Sequence, residues 1–114
     1  MAKYQDHLTC SIRELAAYLD DYIRRSSISA TLEDSAHHTL DGVMCITRVY
    51  ERYSYLGSNR VSLSLTLFGR DGDVQLTAIT AGGSQAMFFK INTFGESAFL
   101  DKLIDGVERF KGKR

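Results

Sequence analysis

Arginine and tyrosine recur within one short stretch of this chain: Arg48, Tyr50, Arg52, Tyr53, Tyr55 and Arg60, with Asn59 among them. Guanidinium groups and phenol rings are the side chains that protein-binding surfaces favour. The same pair can stack on the bases of single-stranded nucleic acid. Residues two apart on a strand share a face, so Arg48, Tyr50 and Arg52 form one row. Ser62, Ser64 and Thr66 repeat the two-residue step further on and are expected beside that row on the next strand. The chemistry on offer is recognition of a protein partner or of a second copy of the chain, through the open sheet face or a strand edge. Nucleic acid is disfavoured, because 14 Lys and Arg are balanced by 14 Asp and Glu, and phosphate binding needs uncompensated cations.

A second group is Gly82-Gly83-Ser84-Gln85, followed by Lys90. These residues could line the pocket of a small-ligand binder or a cryptic enzyme, with Ser84, Gln85 and Lys90 as its polar contacts. Neither G-x-x-x-x-G-K-[ST] nor G-x-G-x-x-G is present, so no known phosphate-cradling loop is matched. The plainer role is a bulge or wide turn that uses glycine's backbone freedom.

The metal-like inventory is His7, Cys10, His37, His38 and Cys45. Adjacent residues on a strand point to opposite faces, so His37 and His38 do not converge on one ion. No C-x-x-C or H-x-x-x-H spacing occurs; no metal and no cofactor are expected. No G-x-S-x-G elbow marks a nucleophile, and the paired carboxylates Asp20/Asp21 and Asp71/Asp73 read as solvated charge. No catalytic residue is assigned, and a binding domain is favoured over an enzyme.

The elements that must position these groups follow from periodicity. Residues 3–10 alternate weakly and suggest a short strand. Ser11 and Glu14 form a capping box, after which Ile12, Leu15, Ala16, Leu19, Tyr22 and Ile23 recur at helical spacing over residues 12–25. Ile28, Ala30 and Leu32 alternate with Ser29, Thr31 and Glu33, which marks a second strand, and Asp41-Gly42 marks a hairpin turn. A strand over residues 43–53 returns from it. Its two faces are hard to tell apart, which implies either two partly covered faces or a bulge near Arg48. Residues 61–67 alternate aliphatic and hydroxyl side chains without error. Arg70-Asp71-Gly72-Asp73 turns the chain, and residues 74–78 alternate again. Thr93 and Glu96 form a second capping box, ahead of Phe99, Leu100, Leu103, Ile104, Val107 and Phe110 at helical spacing.

The expected fold is therefore a two-layer α+β domain of order β-α-β-β-β-β-α, spanning residues 1–114 as a single domain. Five antiparallel strands form a curved sheet, with residues 86–91 as a candidate sixth. Both helices lie on one face, leaving the other open. A single chain of this length can bury about two thirds of its unfolded surface without disulfide or metal staples. Cys10 and Cys45 lie in apolar-patterned stretches and are expected to be reduced and buried. The first residues lack an apolar export core and no apolar run reaches membrane-span length, so a cytoplasmic, non-membrane protein is expected.

The segments Arg48-Val49-Tyr50-Glu51-Arg52-Tyr53-Ser54, Leu56-Gly57-Ser58-Asn59-Arg60-Val61-Ser62-Leu63 and Gly82-Gly83-Ser84-Gln85-Ala86-Met87-Phe88-Phe89-Lys90-Ile91-Asn92-Thr93-Phe94-Gly95-Glu96 resemble a small bacterial domain family of unknown function. That resemblance covers nearly the whole chain and implies a bacterial cytoplasmic origin, with no catalytic residue, cofactor or substrate. The element order resembles the TATA-binding-protein-like arrangement and, more loosely, the helix-grip fold; architecture alone carries no function.

Overall fold

A computed structural model describes residues 1–27, 29–53, 60–82 and 89–113 of the chain. Its elements are β1 (Ala2–Leu8), α1 (Ile12–Ser26), β2 (Thr31–Leu40), β3 (Val43–Tyr53), β4 (Arg60–Arg70), β5 (Asp73–Gly82) and α2 (Phe89–Gly112). The order and class are those expected from the sequence. One five-stranded sheet runs β1-β5-β4-β3-β2, and every neighbouring pair is antiparallel. Strands β2 to β5 form a meander, and α1 carries the chain from β1, beside β5, to β2 at the opposite edge.

The alternation in β4 sets the two faces. Val61, Leu63, Leu65 and Leu67 are at most 2% exposed, and β5 continues their row with Val74, Leu76, Ala78 and Thr80. Both helices pack on this face. From α1 come Ile12, Leu15, Ala16, Leu19 and Ile23, and from α2 Phe99, Leu100, Leu103, Val107 and Phe110, all buried. Each fully buried Leu, Ile or Phe contributes about 1.5–3 kcal/mol relative to an exposed one, so this single row holds the two layers together.

Local chemistry fixes where α1 begins. Ser11 Oγ accepts the Glu14 amide at 3.2 Å, as the capping box requires,. The β4–β5 turn adds two more bonds: Asp71 Oδ1 accepts the Ile12 amide at 3.0 Å, and the Gly72 amide donates to the Cys10 carbonyl at 2.8 Å. Asp71 is thus a capping carboxylate at a helix N-terminus, where its charge is favourable.

Three expectations about boundaries are corrected. The second helix begins at Phe89, so Thr93 and Glu96 lie within it and not at its start. A capping box marks where a helix can start, but propagation continues wherever no stop intervenes. Phe89 to Ile91 accordingly belong to α2 and to no sixth strand; residues 86–88 lie outside the described residues. Strand β2 begins at Thr31, after Ala30, and Ile28 is outside the described residues. Finally, β3 carries no bulge: its register with β4 is unbroken from Met44 to Tyr53. The shift is on β2, between Leu32 and Asp34, which leaves Glu33 as the extra residue,.

Candidate interaction surface

Register decides which predicted side chains meet. Arg48 lies opposite Leu65, Tyr50 opposite Leu63 and Arg52 opposite Val61. These three therefore stand in the row beneath the helices, and the expected open Arg/Tyr surface is corrected. Arg48 Nη1 donates to the Ala16 carbonyl of α1 at 3.1 Å, Tyr50 Oη donates to Asp20 Oδ1 at 2.7 Å, and Arg52 Nη1 donates to Ser27 Oγ at 3.0 Å. The Arg52 guanidinium also lies 4.7 Å from the Phe99 ring centroid, a cation–π distance. Tyr50 is fully buried. Burial, followed by the hydrogen bond to the Asp20 carboxylate, pushes its phenol well above the ordinary tyrosine range. The row clamps α1 to the sheet, since each of the three donates to α1 or to its C-cap residue.

Ser62 and Ser64 point the other way. They pair with Glu51 and Val49 on the face opposite the two described helices. Ser62 Oγ donates to the Ala81 carbonyl at 3.3 Å. Arg60 is on this face too, 2.5 Å from Glu51 Oε1 and 3.3 Å from Glu33 Oε2, with the Tyr53 ring centroid 5.5 Å from its guanidinium. That ion network ties β2, β3 and β4 across the bare side. The predicted site thus divides: Arg48, Tyr50 and Arg52 are inside, while Arg60, Ser62 and Ser64 are outside.

Of the glycine group, Gly82 ends β5 with φ +109°, and an added Cβ would come within 2.8 Å of the Arg60 carbonyl oxygen. Close strand approach accounts for that glycine. Gly83, Ser84 and Gln85 lie outside the described residues, and Lys90 falls in the first turn of α2. Nothing in the described residues therefore joins Gly82 to a ligand pocket.

Sequence reasoning named a strand edge as a candidate surface without identifying the strand; β2 is one of the two edges. This edge strand is exposed over nearly its whole length, only Leu32 being partly covered. His37 and His38 fall on opposite faces of it, opposite Ile46 and Cys45. On the bare face, a shallow hollow of about 140 Å³ is lined by Asp34, Ser35, Ala36, Thr47 and Val49. Leu40 at the strand end is 76% exposed and Phe68 of β4 is 50% exposed. The available sequence signal was the small, weakly charged run Ser35-Ala36-His37-His38-Thr39, which is polar enough to pass for an ordinary exposed strand.

A family model of unknown function, DUF6054, matches residues 1–111. The chain belongs to the DUF6054 family. No curated protein and no solved structure matches it. What points to a function in this DUF6054 chain is therefore its own surface. Among the described residues, no three His, Cys, Asp or Glu side chains gather in a metal-binding arrangement, and no helix is long and apolar enough to cross a membrane.

Proposed function

We propose that this DUF6054 chain is a single, non-catalytic interaction domain of the cytoplasm whose contact surface is the β2 edge with the adjoining bare sheet face. The observation that carries this is the exposure of Thr31–Leu40 along a sheet whose helices all lie on the opposite side. An edge strand offers a row of backbone N–H and C=O groups to an incoming strand. Strand addition obtains its affinity from those groups and its specificity from alternate side chains. The cytoplasmic assignment is supported by Cys10 and Cys45, which are thiols and form no disulfide,.

The helix-covered row has a supporting role in this reading. Arg48, Tyr50 and Arg52 hold α1 down on β3, the strand with which β2 pairs.

A photo-cross-linking amino acid placed at His38 or Thr39, compared with Ala17 on the exposed side of α1, tests the proposal in the producing cell. Discrete adducts, resolved by mass spectrometry, are expected from the β2 positions and none from Ala17. Equal adducts at Ala17, or none from β2, would overturn it.

A further inference from the structure

Strand β2 ends in a two-residue turn with positive φ at both centres, Asp41 at 52° and Gly42 at 81°. This is the type I′ geometry, and its flanking residues, Leu40 and Val43, form a hydrogen-bonded pair. Antiparallel pairs alternate, so His38, Ala36 and Asp34 direct their backbone groups to β3. Thr39, His37 and Ser35 direct theirs to the free edge. One detail agrees with this count: the Ser35 amide is held by the side chain of its neighbour, Asp34 Oδ1, at 2.8 Å.

The alternation restricts what can pair there. If the incoming strand is β2 of a second copy, related by a two-fold axis normal to the sheet, opposed residues must share both face and hydrogen-bonding parity. Only registers centred on a residue, rather than between two residues, satisfy this. Centring on His37 or His38 places that imidazole against itself. Centring on Ser35 brings the Glu33 bulge one step nearer the axis and sets Asp34 against Ala36. Centring on Ala36 places a small methyl on the axis, Asp34 of each copy against His38 of the other on the bare face, and Ser35 against His37.

Resting on the interaction-domain reading, we infer that β2 accepts β2 of a second copy, antiparallel about Ala36, with Asp34 of each copy opposite His38 of the other. Ser35 and His37 exchange both backbone bonds on either side of the axis, and the Ser35 amide passes from its own Asp34 to the second copy's His37 carbonyl. The Asp34 carboxylate then meets an imidazole, an opposed pair of complementary character repeated by symmetry. Each five-stranded sheet continues into the other. The bulge and the carboxylates at Glu33 and Asp34 bend and charge the start of the strand, a device that limits edge pairing. They end the contact at the carboxylate-bearing Asp34, its last paired residue. A contact of that length falls below about 1,200 Å², so the association is transient and is best read by covalent trapping.

The test uses the full chain carrying Cys45→Ser, with one new cysteine on β2. In the inferred register the two Ala36 Cα atoms form a non-hydrogen-bonded pair about 4.5 Å apart, within disulfide reach. Two copies of position 38 lie about 13 Å apart along the strands, beyond it. Under mild oxidant, Ala36→Cys is expected to give a disulfide-linked dimer whose yield rises with protein concentration, while His38→Cys gives at least about tenfold less. On the Ala36→Cys background, Asp34→His puts imidazole against imidazole and should lower the yield about tenfold, and Asp34→His with His38→Asp should restore it. Circular dichroism confirms that each variant is folded.

No dimer from Ala36→Cys, or equal yields from positions 36 and 38, would overturn the inference. So would failure of the charge-swapped double variant to recover. If the photo-cross-linker on β2 captures a different protein while Ala36→Cys stays monomeric, the second copy is excluded and the interaction surface stands. If β2 yields neither, both readings fall.

Discussion

The Tyr50 hydroxyl donates to Asp20 Oδ1 at 2.7 Å, so the most deeply buried ring of the sheet ends on a carboxylate at the polar margin of α1. Asp20 also pairs with Arg24 one turn on, at 3.2 Å. Tyr50→Phe keeps the packing and removes the bond, and is expected to cost about 1–2 kcal/mol in urea denaturation, the lower part of the range for bonds to charged groups because Asp20 is partly solvated. Tyr50→Ala should cost about 3–5 kcal/mol, from the cavity it leaves. In an Asp20→Ala background, Tyr50→Phe should cost almost nothing further; an undiminished loss there would show that the bond carries no weight. Because the folded phenol ionises above its unfolded value, this contribution is complete below about pH 10 and declines as pH rises beyond it.

Gly106 of α2 is explained by the helix crossing. A Cβ there would lie 2.8 Å from Tyr22 Cδ2 and 3.3 Å from Leu19 Cδ2. Tyr22 is held in place by its hydroxyl bond to Asp105, which Arg109 also engages at 2.9 Å. Alanine would gain about 1 kcal/mol in helix propensity, but overpacking costs about 1–3 kcal/mol. Gly106→Ala is therefore expected to lower the thermal midpoint, with a net loss of about 1 kcal/mol. In a Tyr22→Ala background the same substitution should be neutral or stabilising. The reversal of sign, read by differential scanning calorimetry, separates the crossing from any general effect.

Asp6 joins β1 to α2. Its carboxylate accepts from Lys111 Nζ at 2.6 Å, from the His7 amide at 2.8 Å and from Tyr4 Oη at 2.9 Å. Burial alone would raise its pKa, but the Lys111 bond, the His7 amide and the Tyr4 hydroxyl together hold it below the usual aspartate value. The unfolded chain then binds the extra proton first. The stabilisation is complete above about pH 4 and disappears as pH falls through the lower, folded value. Asp6→Asn should flatten the acid limb of the stability curve and cost about 1 kcal/mol at neutral pH, little because the pair is partly exposed. It should also bring the Tyr4 phenol down from about 12, where burial and then the hydrogen bond to Asp6 hold it; ultraviolet titration at alkaline pH measures that change.

What the sequence exposed and what it concealed differ for a physical reason. Residues 61–67 alternate aliphatic with hydroxyl side chains, so their inner face could be read directly, and Ser11 with Glu14 announced α1. On β3 the same rule misassigned the faces. Arg48 and Arg52 bury long aliphatic stems and send their charged ends to helix partners, while Val43, Cys45 and Val49 stay only half covered on the outside. Polarity therefore pointed outward where packing points inward. The importance of β2 was hidden for a different reason: an edge is defined by what lies beside a strand, and strand order is not written in any one segment.

Cys45 offers an independent check on which face is bare. It sits opposite His38 of β2 and Phe68 of β4 on the side away from the helices, half-buried, while Cys10 is 4% exposed. A thiol reagent reaches a cysteine only through solvent or through unfolding. One equivalent of thiol is expected to react with an aromatic disulfide reagent in the native protein, and the second only at the rate of opening of the α1 junction. Cys45→Ser should abolish the early phase and leave the late one unchanged, whereas Cys10→Ala should do the reverse. Addition of urea below the unfolding transition should accelerate the late phase far more than the early one, because only Cys10 requires the Gly72–Cys10 contact to break. Early reaction at both thiols would place solvent beneath α1 and contradict the helix-covered face.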